Sequence, residues 1–391
     1  MSTKTTYKQT EVGLIPEDWE VKKLGNEINI LGGNAFSSND ISEEGIKWLK
    51  IANVGINKIK EDVLEFLPFE FKEIHKDFLL KSGDYVMALT RPLLGGKLKI
   101  SKILNNDEWL LNQRVAKLDS KVGTIEYYIN YFKQPYFCYQ LEVLMAGTDP
   151  PNLSLTEFKN IKIPVPPLPE QKKIADCLST WDCAIEKQSQ LINALTQRKK
   201  ALMQQLLTGK KRLPGFSGEW KEVKLGNLGK TYNGLTGKTK EDFGEGKPFI
   251  TYMNIFTNPK IDISNFEYVK MGTNENQNKA IYGDIFFTVS SETPDEVGMA
   301  SVLLDKVNDL YLNSFCFGFR LNDFKSLLPE FSSYLFRNEL FRKEVHKLAQ
   351  GSTRFNLSKL ELMKIEIKLP SLEEQTAIAE ILATADRELQ L

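Results

Sequence analysis

Asp149-Pro150-Pro151-Asn152 is the stretch with the most pointed chemistry. An Asn- or Asp-Pro-Pro turn followed by an aromatic residue suits methylation of a DNA base amino group, because the ring stacks on the flipped-out base. Here the fourth residue is Asn, so the stacking face is lost, and no glycine-rich strand-to-helix turn for a methyl donor accompanies it. Gly234-Leu235-Thr236-Gly237-Lys238-Thr239 suggests a phosphate loop, but the glycine required five residues before Gly237 is Tyr232. Glu70-Phe71-Lys72 is a Glu-x-Lys triplet of the nuclease kind, yet the only Pro-Asp pair, Pro294-Asp295, has no such triplet nearby. Only His75 and His346 are available for histidine chemistry, and Cys138, Cys177, Cys183 and Cys316 are scattered. Neither a triad, a metal site nor a disulfide framework is implied. No catalytic, cofactor-binding or metal-ligating set is read from the chain.

Binding remains. Arg91, Lys97, Lys99 and Lys102 fall in one loop region, and Lys238, Lys240 and Arg354 in or near others. Cations there can neutralise phosphates and fix register, while neighbouring Asn, Gln, Ser, Thr and Arg can read base edges. The formal net charge of zero argues against a generally basic coat, but allows a DNA-binding face balanced by acidic surface elsewhere. With 391 residues and 41% hydrophobic content the chain has room for two or three domains. No apolar run reaches the length of a membrane span, and the polar start MSTKTTYKQTE lacks a signal peptide's apolar core. A cytoplasmic protein is expected.

Such loops need a scaffold, and the sequence contains one twice. LPEQKKIADCLSTWD at 168–182 returns as LPSLEEQTAIAEILATAD at 369–386, pairing Gln171 with Gln375 at an offset of 204. Gly147 pairs with Gly351, and Asn152-Leu153-Ser154 with Asn356-Leu357-Ser358, at the same offset. Earlier landmarks repeat at 200 or 201: Trp19 with Trp220, Asn53 with Asn254, Gly83-Asp84 with Gly283-Asp284, and Leu111-Asn112 with Leu312-Asn313. Ordered landmarks at a nearly constant offset indicate a tandem duplication of a unit of about 200 residues. Between them the copies diverge, as in ALTRPLLGGKLKISKILNNDEW against VSSETPDEVGMASVLLDKVNDL. A shared scaffold with two sets of loops is what two recognition domains with different targets require.

Short β-branched and aromatic runs such as WLKIANV, DYVMAL, FITYMNI and DIFFTV read as strands, and the segments from Ile125 and Pro329 as amphipathic helices. Each unit is therefore α+β and ends in a helix. In the first helix Ile174, Leu178, Trp181, Ile185, Gln188, Ile192, Leu195, Lys199, Leu202 and Leu206 follow alternating steps of four and three, a heptad seam that needs a partner. Prolines 164, 166, 167 and 169 signal its start and Thr208-Gly209 its stop. Ile378, Leu382, Ala385 and Leu389 repeat that pattern in the second helix. The expectation is two similar target recognition domains of small mixed sheets plus helices, separated by an antiparallel long-helix pair, with pseudo-twofold symmetry. The divisions are 1–167, 168–209, 210–368 and 369–391. The 204 offset would place the counterpart of Thr208 at position 412, 21 residues past Leu391. The far seam, Ile192 to Leu206, is therefore expected to lack an intrachain partner.

LPEQKKIADCLSTWDCAIEKQSQLINALTQRKKALMQQLLTGKKRL, followed by W-x-x-V-K-L-G-N, closely resembles the central conserved region of specificity subunits of type I restriction–modification systems. The resemblance covers almost the whole chain. It implies a non-catalytic subunit whose two domains each read half of a split, asymmetric site in double-stranded DNA. It also implies helices that dock two methyltransferase subunits, with a translocating, DNA-cleaving restriction subunit joining them. S-adenosylmethionine, ATP and magnesium would then belong to the partners, and no cofactor to this chain. Two other readings stay open: a DNA adenine methyltransferase using Asp149-Pro150-Pro151-Asn152, and a coiled-coil scaffold that binds proteins and no DNA.

Overall fold

The computed structural model describes residues 6–104, 108–273, 275–351 and 353–390. The chain divides into two compact units, Met1–Lys187 and Gln188–Leu391.

In the first unit the strands Ile28–Gly32, Tyr85–Ala88, Ile100–Lys102 and Val115–Ser120 form an antiparallel sheet. In spatial order they run Ile100–Lys102, Tyr85–Ala88, Val115–Ser120, Ile28–Gly32. A second sheet holds Ile46–Leu49 parallel to Trp109–Leu111, flanked by Phe66–Leu67 and Leu79–Leu80. The helices Ile125–Phe132 and Pro135–Leu144 cover the first sheet with an aromatic core, in which Phe132 stacks on Phe137 at 4.7 Å and meets Phe158 at 5.8 Å. Glu20–Lys23 pairs with Lys162–Val165, which brings the chain to the root of the long helix.

The second unit repeats this topology. Its antiparallel sheet runs Ala300–Val302, Ile285–Thr288, Cys316–Leu321, Gly229–Asn233, the same order strand for strand. Phe243–Ile250 lies parallel to Tyr311–Leu312, and Lys221–Lys224 pairs with Glu366–Leu369. Phe336 and Phe341 take the places of Phe132 and Phe137, with ring centroids 4.9 Å apart. Each buried aromatic side chain in these cores contributes about 1.5–3 kcal/mol through lost apolar exposure.

Gly33 and Gly234 occupy equivalent positions for a steric reason. A Cβ on Gly33 would sit 2.3 Å from the Asn112 carbonyl oxygen, and one on Gly234 would sit 2.1 Å from that of Asn313. Gly234 therefore serves close backbone packing, which accounts for its place in a sequence that only half matches a phosphate loop.

The long helix spans Leu168–Leu206, about 58 Å at 1.5 Å per residue. It stops where Gly209 takes a left-handed φ of 69°. The second helix, Leu372–Gln390, packs on the last turns of the first. Arg198 bonds Glu388, Lys199 pairs with Asp386, and just past the helix Arg212 grips Glu374 with two bonds of 2.6 and 2.7 Å. Rising numbers on one helix meet falling numbers on the other, so the pair is antiparallel. Leu206, Leu207, Ile378, Ala379 and Leu382 are buried together, with Leu202 and Met203 against them.

That packing corrects the expected location of the uncovered seam. The second helix starts beside the end of the first, so it covers the last turns, and Leu206 is only 2% exposed. Every residue from Asp176 to Ala194 is instead exposed. Along the seam Leu178, Trp181, Ile185 and Ile192 are exposed, while Ile174, Leu195 and Leu389 are half-buried.

Two lysine–carboxylate pairings should make the second unit acid-sensitive. Lys238 holds the Glu275 carboxyl down to about 2, and Lys247 with Lys279 holds that of Asp309 to about 2. Both are lowered from ordinary values near 4, so their contribution is full above that range and is lost as pH falls toward 2. Thermal unfolding should be flat from pH 7 to 5 and fall by pH 3. The Asp309→Asn variant should fall less steeply.

Candidate nucleic-acid interface

The repeated landmarks are hydrogen-bonding staples. Asn112 and Asn313 each close a turn, with Oδ1 accepting from the Arg114 N–H at 3.1 Å and the Phe315 N–H at 2.8 Å. The turn then passes a bond to the neighbouring strand: the Leu89 N–H donates to the Arg114 carbonyl and the Val289 N–H to that of Phe315. Next, the Leu153 N–H donates to the Leu89 carbonyl and the Leu357 N–H to that of Val289. Asn53 and Asn254 are buried and pin the loops that follow them, through Lys60 and Val63 in one unit and Asp262 and Asn265 in the other. Gln171 and Gln375 each donate to a proline carbonyl five residues back, fixing the helix start. These amides satisfy buried backbone groups that would otherwise cost about 1–3 kcal/mol each.

Asp149-Pro150-Pro151-Asn152 is part of the same framework. The Pro151 carbonyl accepts from the Arg91 N–H, and Asn152 Oδ1 accepts from the Thr90 hydroxyl at 2.8 Å. Its counterpart lets Asn356 pair with Ser290. Pro151 and Asn152 thus join loops.

The side chains carried on this framework differ between units. Of the nine arginines, Arg198, Arg212, Arg320, Arg337, Arg342 and Arg387 are engaged within the chain. Among the described residues, Arg91, Arg114 and Arg354 have no side-chain hydrogen bond or ion pair, and all three are exposed. All three belong to the stapled loops. Lys99 is half-buried near Lys60 and Arg91, and burial first, then those two charges, hold its ammonium below the usual lysine range. An uncompensated cation group of this kind favours an anion.

The other candidates separate. Lys97 and Lys240 are exposed. Lys102 reaches Glu126 at 3.5 Å and lies 5.0 Å from the Tyr85 ring centre. Lys238 departs from the expected role: its side chain is only 8% exposed and bonds both Glu275 and the Lys270 carbonyl, so it fastens a loop. Arg354 lines a cleft of about 410 Å³ with Tyr252, Met253, Phe256, Phe315 and Glu292.

Residues 16–197 and 217–391 both match the family described as the type I restriction modification DNA specificity domain. The chain belongs to that family. It is 40% identical over 215 residues to the type I restriction enzyme MjaVIII specificity subunit of Methanocaldococcus jannaschii, a match spanning 54% of this chain and about half, 51%, of that protein. The putative MjaX specificity subunit of the same organism is 26% identical over 97% of this chain and 89% of its own length. The fold is that of the type I restriction–modification S subunit of M. genitalium, at a TM-score of 0.58 and 16% identity over 95% of this chain and 90% of that one.

Arg114 and Phe315, both exposed beside the repeated asparagines, are not among the positions the sequence singled out. The available signal was divergence inside a repeated motif, since LLNQR and YLNSF keep the Asn and change the two residues after it. Among the described residues no helix is long and apolar enough to cross a membrane, and no cluster of metal-ligand type is present.

Proposed function

We propose that the chain is the sequence-recognition subunit of a type I restriction–modification complex. Residues 1–167 and 210–368 would each read one half of a bipartite, asymmetric site in double-stranded DNA. Residues 168–209 and 369–391 would set the spacing and dock methyltransferase subunits, with two copies expected and a translocating, cleaving restriction subunit beside them. The chain itself performs no chemistry, and it works where the DNA is, in the cytoplasm. One observation carries this reading: two units share a hydrogen-bonded framework down to individual turns, yet present unrelated side chains from it. Enzymes conserve the side chains that react, whereas readers of two different half-sites must vary the ones that touch DNA.

The test is to express the chain with its cognate methyltransferase and map the methylated adenines. A bipartite motif with a fixed spacer of roughly one helical turn of DNA or more is expected. Two heptads inserted into the bare part of the long helix should change the spacer and leave both half-sites unaltered. A single contiguous motif, or methylation by the purified chain alone, overturns the proposal. Protein binding with no salt-dependent DNA shift would favour a scaffold.

A further inference from the structure

We propose that the two residues after each repeated asparagine, Gln113–Arg114 and Ser314–Phe315, are the matched base-reading positions of the two half-sites, with Arg114 selecting a guanine and Phe315 a thymine. This rests on the DNA-recognition reading above and assigns it to particular side chains.

The backbone at the two positions shares three bonds that define the turn. Asn112 and Asn313 close the turn with their side chains, Val115 and Cys316 donate back to the Asn carbonyls, and Leu89 and Val289 donate to the residue that projects. Gly33 and Gly234 press against the same turn, leaving no room for a side chain on that flank. A turn held on three sides shifts little on contact, which is what a specific contact to a base edge needs.

The presented groups are exposed and unspent. Gln113, Arg114 and Ser314 are exposed, and Phe315 is 63% exposed. Among the described residues neither the Gln113 amide nor the Arg114 guanidinium has an intrachain partner. Arg114 bonds through its backbone to the strand end that leads into Arg91, and Arg91 is one of the cations acting on Lys99. That unit therefore offers phosphate-neutralising charge beside a planar, five-donor fork that fits guanine O6 and N7. In the other unit the same position carries an aromatic ring that lines the Tyr252 cleft with Arg354. An exposed ring beside one arginine gains little from water and much from the thymine methyl group, while Arg354 supplies the phosphate contact.

The test is methylation mapping of the complete complex containing wild-type chain, Arg114→Lys, Arg114→Ala, Phe315→Leu or Phe315→Arg. Arg114→Ala and Arg114→Lys should each relax one guanine position of one half-site, with preference falling on the order of 10- to 100-fold and the other half-site unchanged. The lysine variant keeps the charge and loses only the fork, so its effect separates base reading from phosphate attraction. Phe315→Leu should weaken a thymine position in the other half-site, and Phe315→Arg should move that position toward guanine. Unchanged motifs in folded variants, or a uniform loss of modification with preference intact, overturn this assignment and leave the recognition reading standing. A wild-type chain that directs no bipartite motif overturns both.

Discussion

Arg337→Ala is expected to lower the thermal midpoint of the second unit by on the order of 10 °C and to erase selectivity for the half-site proposed for that unit. The Arg337 guanidinium donates to four backbone carbonyls, those of Ala300, Ile255, Phe256 and Asn258, at 2.6 to 3.0 Å. No carboxylate balances it among these bonds. Burial first, and then Arg342, pulls it down to about 10 from the usual arginine range. The site is thus costly to charge, and the carbonyls compensate. Removing the fork leaves several acceptors without partners, a loss of about 3–4 kcal/mol. In a unit of this size each kcal/mol shifts the midpoint by about 2–4 °C. Arg337→Lys keeps a charge but not the planar fork, and should recover less than half of the loss. Arg342 donates similarly to the carbonyls of Asp295, Val297 and Gly298, so the pair stitches down the segment that leads out of the Ser290–Glu296 loop. The counterpart of Arg337 by the 204 offset is Lys133, which pairs with Asp182 at 3.6 Å. Lys133→Ala should accordingly shift the first unit by less than 2 °C. Differential unfolding of the two units, followed by hydrogen exchange, distinguishes these outcomes; equal small shifts would remove Arg337 from this role.

The sequence was most readable where one physical constraint acts on a fixed spacing. The heptad seam, the proline-marked start and Gly209 predicted the long helix, because periodicity and turn chemistry are local. The repeat predicted the fold of the second unit from the first, and the repeated pairs Asn53/Asn254, Asn112/Asn313 and Gln171/Gln375 each bond backbone groups. Three things were not readable, for separate reasons. The uncovered part of the seam depends on where the second helix begins in space, and Leu206 lies among Ile378 and Leu382 because the helices meet at that end. Lys238 looked like a loop cation, but its pairing with Glu275 spans 37 residues and leaves no local pattern. Arg114 and Phe315 differ from neighbouring loop residues only in the turn that aims them, so composition could not single them out.

The bare middle of the long helix leads to the second large effect. A double change, Leu178→Glu with Trp181→Glu, is expected to leave the chain folded and to weaken capture of the methyltransferase subunit proposed to dock there by on the order of 10²- to 10³-fold. From Asp176 to Ala194 no residue is buried, yet Leu178, Trp181, Leu191 and Ile192 are 41%, 66%, 51% and 45% exposed. A helix that met only water there would be expected to carry a polar face all round. Heptad spacing sustained over apolar residues specifies another helix. Because these side chains make no core, acidic replacements should change the thermal midpoint by less than 2 °C. Across an interface the same two residues act as anchors worth about 2 kcal/mol each, and each factor of ten in affinity is about 1.4 kcal/mol. Leu202→Glu is the control with the opposite signature. Its side chain packs on the core of the second unit, so it should unfold that unit before it affects docking. Affinity measured with purified subunits, beside circular dichroism of the free chain, separates the two. If the double variant bound the methyltransferase as tightly as the wild type, the exposed seam would not be the docking face. The partner would then have to be held by the folded units, and the heptads would serve only to keep a long helix straight.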